Sequence, residues 1–175
     1  MRVLNSFYPA WRELTIHETS PGNRGASVKI AGECGNYIPS HYFANVPGGG
    51  FKDGIRCENL EKLSFADESV DIHISQDVME HIFSPNLAFK EIARTLRPGG
   101  AHIFTVPIVN KFQSTRRRAT LLSDGTIQHL CSAQYHGNPI DAQGCLVTFD
   151  WGYDICQEIF GASGMFTHII QIDDL

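Results

Sequence analysis

The clearest hydrophobic pattern in the chain lies between Pro85 and Leu96. Ala88, Phe89, Ile92, Ala93 and Leu96 recur at helical spacing and leave Lys90, Glu91 and Arg94 on the opposite side, which predicts a helix lying on a sheet. Both ends are signalled. Ser84 can cap the amino end, Pro85 suits the first helical position, Arg94 and Arg97 suit the negative end of the dipole, and Pro98-Gly99-Gly100 is a stop. Before this helix, Val70 to Ser75 is a short β-branched strand running into a polar Ser-Gln-Asp turn; after it, Ala101 to Val106 resumes a strand that Pro107 ends. Strand, helix and strand in this order make a βαβ crossover, and parallel sheets bind ligands at the carboxyl ends of their strands.

The alternation extends in both directions. Upstream, Leu14 to His17 reads as a first strand, Glu18 to Gly25 as a turn, and Ala26 to Cys34 as a helix with Val28, Ala31 and Cys34 on one face. Tyr37 to Phe43 supplies a second strand and Gly54 to Cys57 a third, at the edge. The glycines of Val46 to Gly50 make a connector, since neither a helix nor a Lys-Ser/Thr pair follows to build a phosphate cradle. Downstream, Leu146 to Phe149 reads as a strand, Tyr153 to Phe160 as a helix ended by Gly161, and Thr167 to Ile172 as a last strand. Between them Pro107 to Gly144 is irregular, and loops longer than ~15 residues are often functional. Strands and helices in alternation predict a three-layer α/β/α sandwich. One strand is anomalous: central parallel strands are continuously apolar, whereas Val70 to Ser75 alternates, so His73 is expected as a hydrogen-bonded core residue.

Length and charge narrow the classes. At 175 residues the chain fits a single domain, 1–175, with a sizeable core. A net charge of -5 and a pI near 5.9 argue against nucleic acid as the partner, because phosphate contacts need a basic surface. Five cysteines without a close pair indicate neither a disulfide framework nor a zinc ribbon, so a reducing, cytoplasmic setting and no metal site are expected. No signal peptide and no apolar run near ~18 residues is present, so no membrane partner is expected.

Leu63-Ser64-Phe65, Ser69-Val70-Asp71, Asp77-Val78-Met79-Glu80-His81 and Leu96-Arg97-Pro98-Gly99-Gly100, taken in order, resemble the second half of class I S-adenosylmethionine (SAM)-dependent methyltransferases. The resemblance implies a Rossmann-like, mostly parallel seven-stranded sheet with an antiparallel last strand, a shortened amino-terminal lead, and a substrate-side insertion around 107–144. It also implies SAM as cofactor and methyl transfer to an oxygen, nitrogen or carbon nucleophile; the acidic balance favours a small-molecule acceptor.

By position in the family pattern, Glu18 matches the acidic residue of the glycine-rich motif. Ser20 stands where its first glycine usually is, and Gly22 matches the second, with Pro21 between them. His41 is nearest to the acid that accepts the ribose hydroxyls, with Ser40 and Tyr42 as alternatives. Asn59 falls at the adenine position, Leu60 offers the next backbone amide, and Glu58 is the fallback. Gln76 and Asp77 line the methionine end, although Asp77 is equally explained by the helix dipole. His81 and His136 are the general-base candidates, and His81 is equally explained by a bond to the neighbouring loop. A different class also fits: Pro21, His41 and the short lead suit a methyltransferase-fold binding or scaffold domain with weak catalysis. A nicotinamide enzyme does not fit, because the turn lacks GxGxxG.

Overall fold

The computed structural model describes residues 1–138 and 141–171. Its central sheet has six strands, β1 (Thr15–Thr19), β2 (Asn36–His41), β3 (Phe51–Lys52), β4 (Ile55–Cys57), β5 (Val70–Gln76) and β6 (Leu96–Thr105), in the order β3-β4-β2-β1-β5-β6. Every pairing is parallel except β3 with β4 at the edge. Helices α1 (Arg2–Phe7) and α2 (Gly25–Glu33) close one apolar cluster around Leu4, Trp11, Ile16, Ile30, Ile72 and Ile74. Helices α3 (Pro85–Thr95) and α4 (Ile155–Ser163) close the other, around Met79, Phe89, Ile92, Trp151 and Ile159. The α/β class and the crossover from β5 through α3 to β6 are as the pattern predicts.

The alternation in β5 now has a physical cause. Ile72 and Ile74 face α2, while His73 lies buried on the other side of the strand, within 2.8 Å of His17 and of Thr95. The donors in this chain can be assigned from its ends. The Thr95 hydroxyl donates to the Glu91 carbonyl, so it accepts from His73 Nε2–H. His73 Nδ1 is then the acceptor for His17 Nδ1–H, and His17 Nε2 accepts from the Ser40 hydroxyl at 2.8 Å. Two neutral imidazoles satisfy every link. Burial lowers both histidines below their ordinary range, His73 to about 4, and for His17 the neighbouring His73 adds to it.

Several local expectations are corrected. β1 continues to Thr19, which puts Glu18 inside the strand and not in the turn. α2 buries Ser27 and Ile30 and is followed by buried Cys34, whereas Val28 and Ala31 face solvent; the helix is rotated so that Ser27 can reach Glu18. Ser84 stands at the cap of α3 without a side-chain cap bond, and its own amide donates to Glu61. Arg94 does not face water alone: it donates to the carbonyls of Leu63 and Phe65 and to Asp67 and Glu91. Gly161 stays within α4, and the left-handed Gly164, whose N–H donates to the Phe160 carbonyl, ends it.

The carboxyl-terminal half differs most. After β6 come β7 (Ile108–Asn110) and β8 (Arg116–Arg117), then two hairpins, β9 (Ala119–Leu121) with β10 (Ile127–His129) and β11 (Tyr135–Asn138) with β12 (Asp141–Leu146), where irregular chain was expected. The strand expected at Leu146 to Phe149 is β13 (Phe149–Gly152), and it joins β7 and β8 in a separate three-stranded sheet. The last strand expected at Thr167 to Ile172 does not form over 167–171, and Ile172 lies outside the described residues, as does Pro139. Ile169 and Ile170 are exposed there, since β-branched composition acts only where a partner strand and a covered face exist. The described central sheet therefore has six strands, with its antiparallel member at the β3 edge. Among the described residues no helix is long and apolar enough to cross a membrane, and none of the five cysteines is in a disulfide.

Candidate active site

The register brings four strand ends to one edge. Thr19 pairs with both Ser40 and Ser75, and His41 pairs with Cys57, so the turns after β1, β2, β4 and β5 leave the sheet side by side. The turns that begin at Ser20 and at Glu58 therefore lie along the same edge. On neighbouring strands, the first residue after β1 and the first after β5 share an uncommon backbone. Ser20 has φ 52° and Asp77 φ 52°, both in the left-handed region that costs a side-chain-bearing residue about 1 kcal/mol or more. Ser20 is held there by its amide, which donates to the Ser40 carbonyl at 2.7 Å. Asp77 is held by its amide to the Thr105 carbonyl at 3.0 Å and by the Thr105 hydroxyl on its carboxylate at 3.0 Å. This conformation explains why glycine suits the position of Ser20. Beyond it, Gly22 and Gly25 border open space.

Glu18 sits under this edge, fully buried. Its carboxylate accepts from Ser27 Oγ at 2.6 Å, Tyr37 OH at 2.8 Å and Gln76 Nε2 at 2.8 Å, so β1, α2, β2 and β5 are tied at one point. It organises the edge from below. Gln76 is committed to the same cluster. Burial, followed by the Glu18 hydrogen bond, raises the Tyr37 hydroxyl well above its usual range and keeps it a donor. Ser27 and Tyr37 were not legible as site residues; only their contact with a buried acid marks them.

The remaining positions separate. His41 is largely buried at the end of β2, and burial lowers it, leaving a neutral ring with one acceptor nitrogen. Ser40 is turned into the core by His17, while Tyr42 is exposed. The Asn59 side-chain oxygen accepts from the Glu61 amide, a local turn bond, and the Leu60 side chain belongs to the core. Glu58 is buried and filled by Arg56, the Ser64 amide and the Ser64 hydroxyl, which withdraws it as the adenine fallback.

His81 and His136, separated by most of the insertion, come together. Their rings stand 5.2 Å apart, edge to face. His81 Nδ1 lies 2.8 Å from the Leu146 carbonyl, which fixes its proton there and leaves Nε2 free. Between them lies Glu80, 1% exposed, with Oε1 3.7 Å from His81 Nε2 and 3.5 Å from His136 Nδ1. Burial raises Glu80 to about 7, and the nearby charge of Asp77 adds to it. His81 is lowered mainly by burial. Sequence spacing showed Glu80 only as a neighbour of His81. A surface hollow of about 300 Å³ lies elsewhere, lined by Phe83, Asn86, Arg117 and Leu121 among others.

Comparison with known proteins agrees with the fold. Residues 41–104, from the end of β2 through β6, match the family described as Methyltransferase domain. An S-adenosylmethionine-dependent methyltransferase from Mesorhizobium loti is similar over 92% of this chain and 78% of its own, with a TM-score of 0.55 and 18% identity. The 4+2 cyclase SpnF is similar over 92% of this chain and 54% of its own, with a TM-score of 0.51 and 10% identity. No curated protein matches the sequence.

Proposed function

We propose that this chain, whose residues 41–104 match the Methyltransferase domain family and whose fold is similar to that of an SAM-dependent methyltransferase, is a class I SAM-dependent methyltransferase that transfers the SAM methyl group to a nucleophilic atom of a small-molecule acceptor. The observation that carries the proposal is the paired left-handed turn at Ser20 and Asp77, on neighbouring strands at the carboxyl edge and directly above the Glu18 cluster. Uncommon backbone of this kind persists where the surroundings enforce it and concentrates at ligand sites. The residues fit a nucleoside bearing an amino acid. The turn at Ser20 to Gly25 offers open backbone over Gly22, and neutral His41 offers one acceptor for a hydroxyl. Leu60, three residues past the end of β4, offers a backbone amide, and Asp77 offers a carboxylate for an ammonium group.

When bound, SAM supplies an electrophilic methyl group on a sulfonium. The chain's part is to hold donor and acceptor in line and to keep the edge rigid from beneath. The acidic overall charge supports an uncharged or cationic small acceptor over a polynucleotide.

Titration calorimetry tests the cofactor directly: SAM and S-adenosylhomocysteine bind the wild type, and Glu18→Gln weakens both, because one amide oxygen cannot accept from Ser27, Tyr37 and Gln76 together. Absence of binding by either ligand up to millimolar concentration overturns the proposal. A second reading, a cofactor-binding domain without efficient transfer, is favoured by the saturation of Glu18 together with Pro21, which removes a backbone donor from the turn. Binding without turnover across a panel of amine, hydroxyl and carbon acceptors selects it.

A further inference from the structure

We infer that Glu80, His81 and His136 form a binding site for one divalent transition-metal ion, of which zinc is the best match. Three ligand atoms, one from each residue, lie within 4.8 Å of one another. Two of the separations are 3.5 and 3.7 Å, close to the roughly 3.3 Å between ligands on a tetrahedral zinc with ~2.0–2.1 Å bonds. They are too long for hydrogen bonds, so the histidines do not satisfy the carboxylate. Both Glu80 oxygens are buried and have no hydrogen-bond partner among the described residues, although a buried, unpartnered carboxylate is strongly unfavourable in a folded chain. A cation held between the three groups removes that deficit.

The surroundings are built to hold the ligands still. His81 has its outer nitrogen on the Leu146 carbonyl, the arrangement that orients a metal-binding imidazole and fixes its tautomer. The turn carrying Glu80 and His81 is pinned by the Thr148 amide and hydroxyl on the Glu80 carbonyl, at 2.8 and 3.0 Å, and by the same hydroxyl on the Ile82 carbonyl at 2.8 Å. The His136 side chain, 35% exposed, is the open door of the site. Three protein ligands leave one tetrahedral position for water or a substrate atom. The site goes beyond methyl transfer: it uses the Glu80 turn and His136 of β11 and none of the residues assigned to the cofactor, and it gives His81 and His136 a ligand role in place of the general-base role expected of them.

The test uses the 175-residue chain freed of metal with a chelator and then titrated with zinc chloride by calorimetry, with and without S-adenosylhomocysteine. One zinc per chain is expected. Glu80→Gln and His136→Ala are each expected to weaken it by more than the ~10–100-fold that loss of an outer-shell partner causes. Circular dichroism shows whether each variant is folded, and His136→Ala, at a partly exposed position, keeps the test open if Glu80→Gln does not fold. Cobalt substitution gives an independent readout: a four-coordinate spectrum without a thiolate charge-transfer band is expected. A thiolate band would place the ion on cysteine, Cys145 opposite His136 being the nearest in register, and would overturn the inference. So would the absence of zinc binding, or zinc binding untouched by both variants.

Discussion

Lowering the pH should destabilise this protein through the buried histidine pair, by an amount the structure allows to be worked out. His73 has both ring nitrogens occupied, Nδ1 accepting from His17 and Nε2–H donating to Thr95. A second proton would set two N–H groups against each other across 2.8 Å in a site closed to water. The folded-state value of His73 is therefore held down to about 4, with burial as the cause, while the unfolded chain titrates at 6.5. Above that unfolded value the residue is neutral in both states and contributes no pH dependence. As pH falls below it, the unfolded state takes up the proton first, and stability declines until the folded value is reached. Between about pH 7.5 and about pH 5 this single residue removes roughly 2 kcal/mol. His17, lowered by burial and then by His73, acts in the same direction. Urea unfolding followed by circular dichroism, at both pH values, measures the effect in the wild type and in His73→Gln. The variant is less stable at each pH, but its loss between them should be smaller by about 2 kcal/mol, close to a 1 M narrowing of the midpoint difference. Equal losses in the two proteins would refute the tautomer chain and the placement of its protons.

Two further perturbations probe the loop before β5 and its crossover. Arg94→Ala removes a partly buried guanidinium that serves the Leu63 and Phe65 carbonyls together with Asp67 and Glu91. It should cost about 2 kcal/mol in urea unfolding, with Arg94→Lys recovering only part because an ammonium cannot span four acceptors. Gly100→Ala places a methyl group 2.6 Å from the Asp71 carbonyl and 2.9 Å from that of Arg97, both backbone. A loss of about 1–3 kcal/mol, or insoluble protein, is expected, and a thermal midpoint unchanged from the wild type would contradict the close approach of β6 to β5.

Much of the fold was legible because it rests on local periodicity. The stripe from Ala88 to Leu96 faces α4 and the sheet, the crossover from Val70 to Thr105 forms, and even the awkward alternation of Val70 to Ser75 announced His73 as a bonded core residue. What was not legible depended on partners distant in sequence. Val28 and Ser27 are neighbours on one helix, and the choice of which is buried was made by Glu18 across the turn. The segment at Thr167 to Gln171 carries strand residues, yet strand formation requires an edge and a covering layer that composition does not specify.

The sequence by itself determined an α/β domain with a parallel crossover, because side-chain spacing fixes which face of each element is apolar, and a ligand edge at the strand carboxyl ends follows from that topology. Tertiary structure alone decided what each polar residue does there. It closed Glu18 and Glu58 within the chain's own hydrogen bonds, joined His17 to His73 across 56 positions, and carried His136 on a hairpin to the buried, unpartnered carboxylate of Glu80. A carboxyl or imidazole group has the same chemistry in any sequence; its role is set by the donors, charges and water that folding leaves beside it.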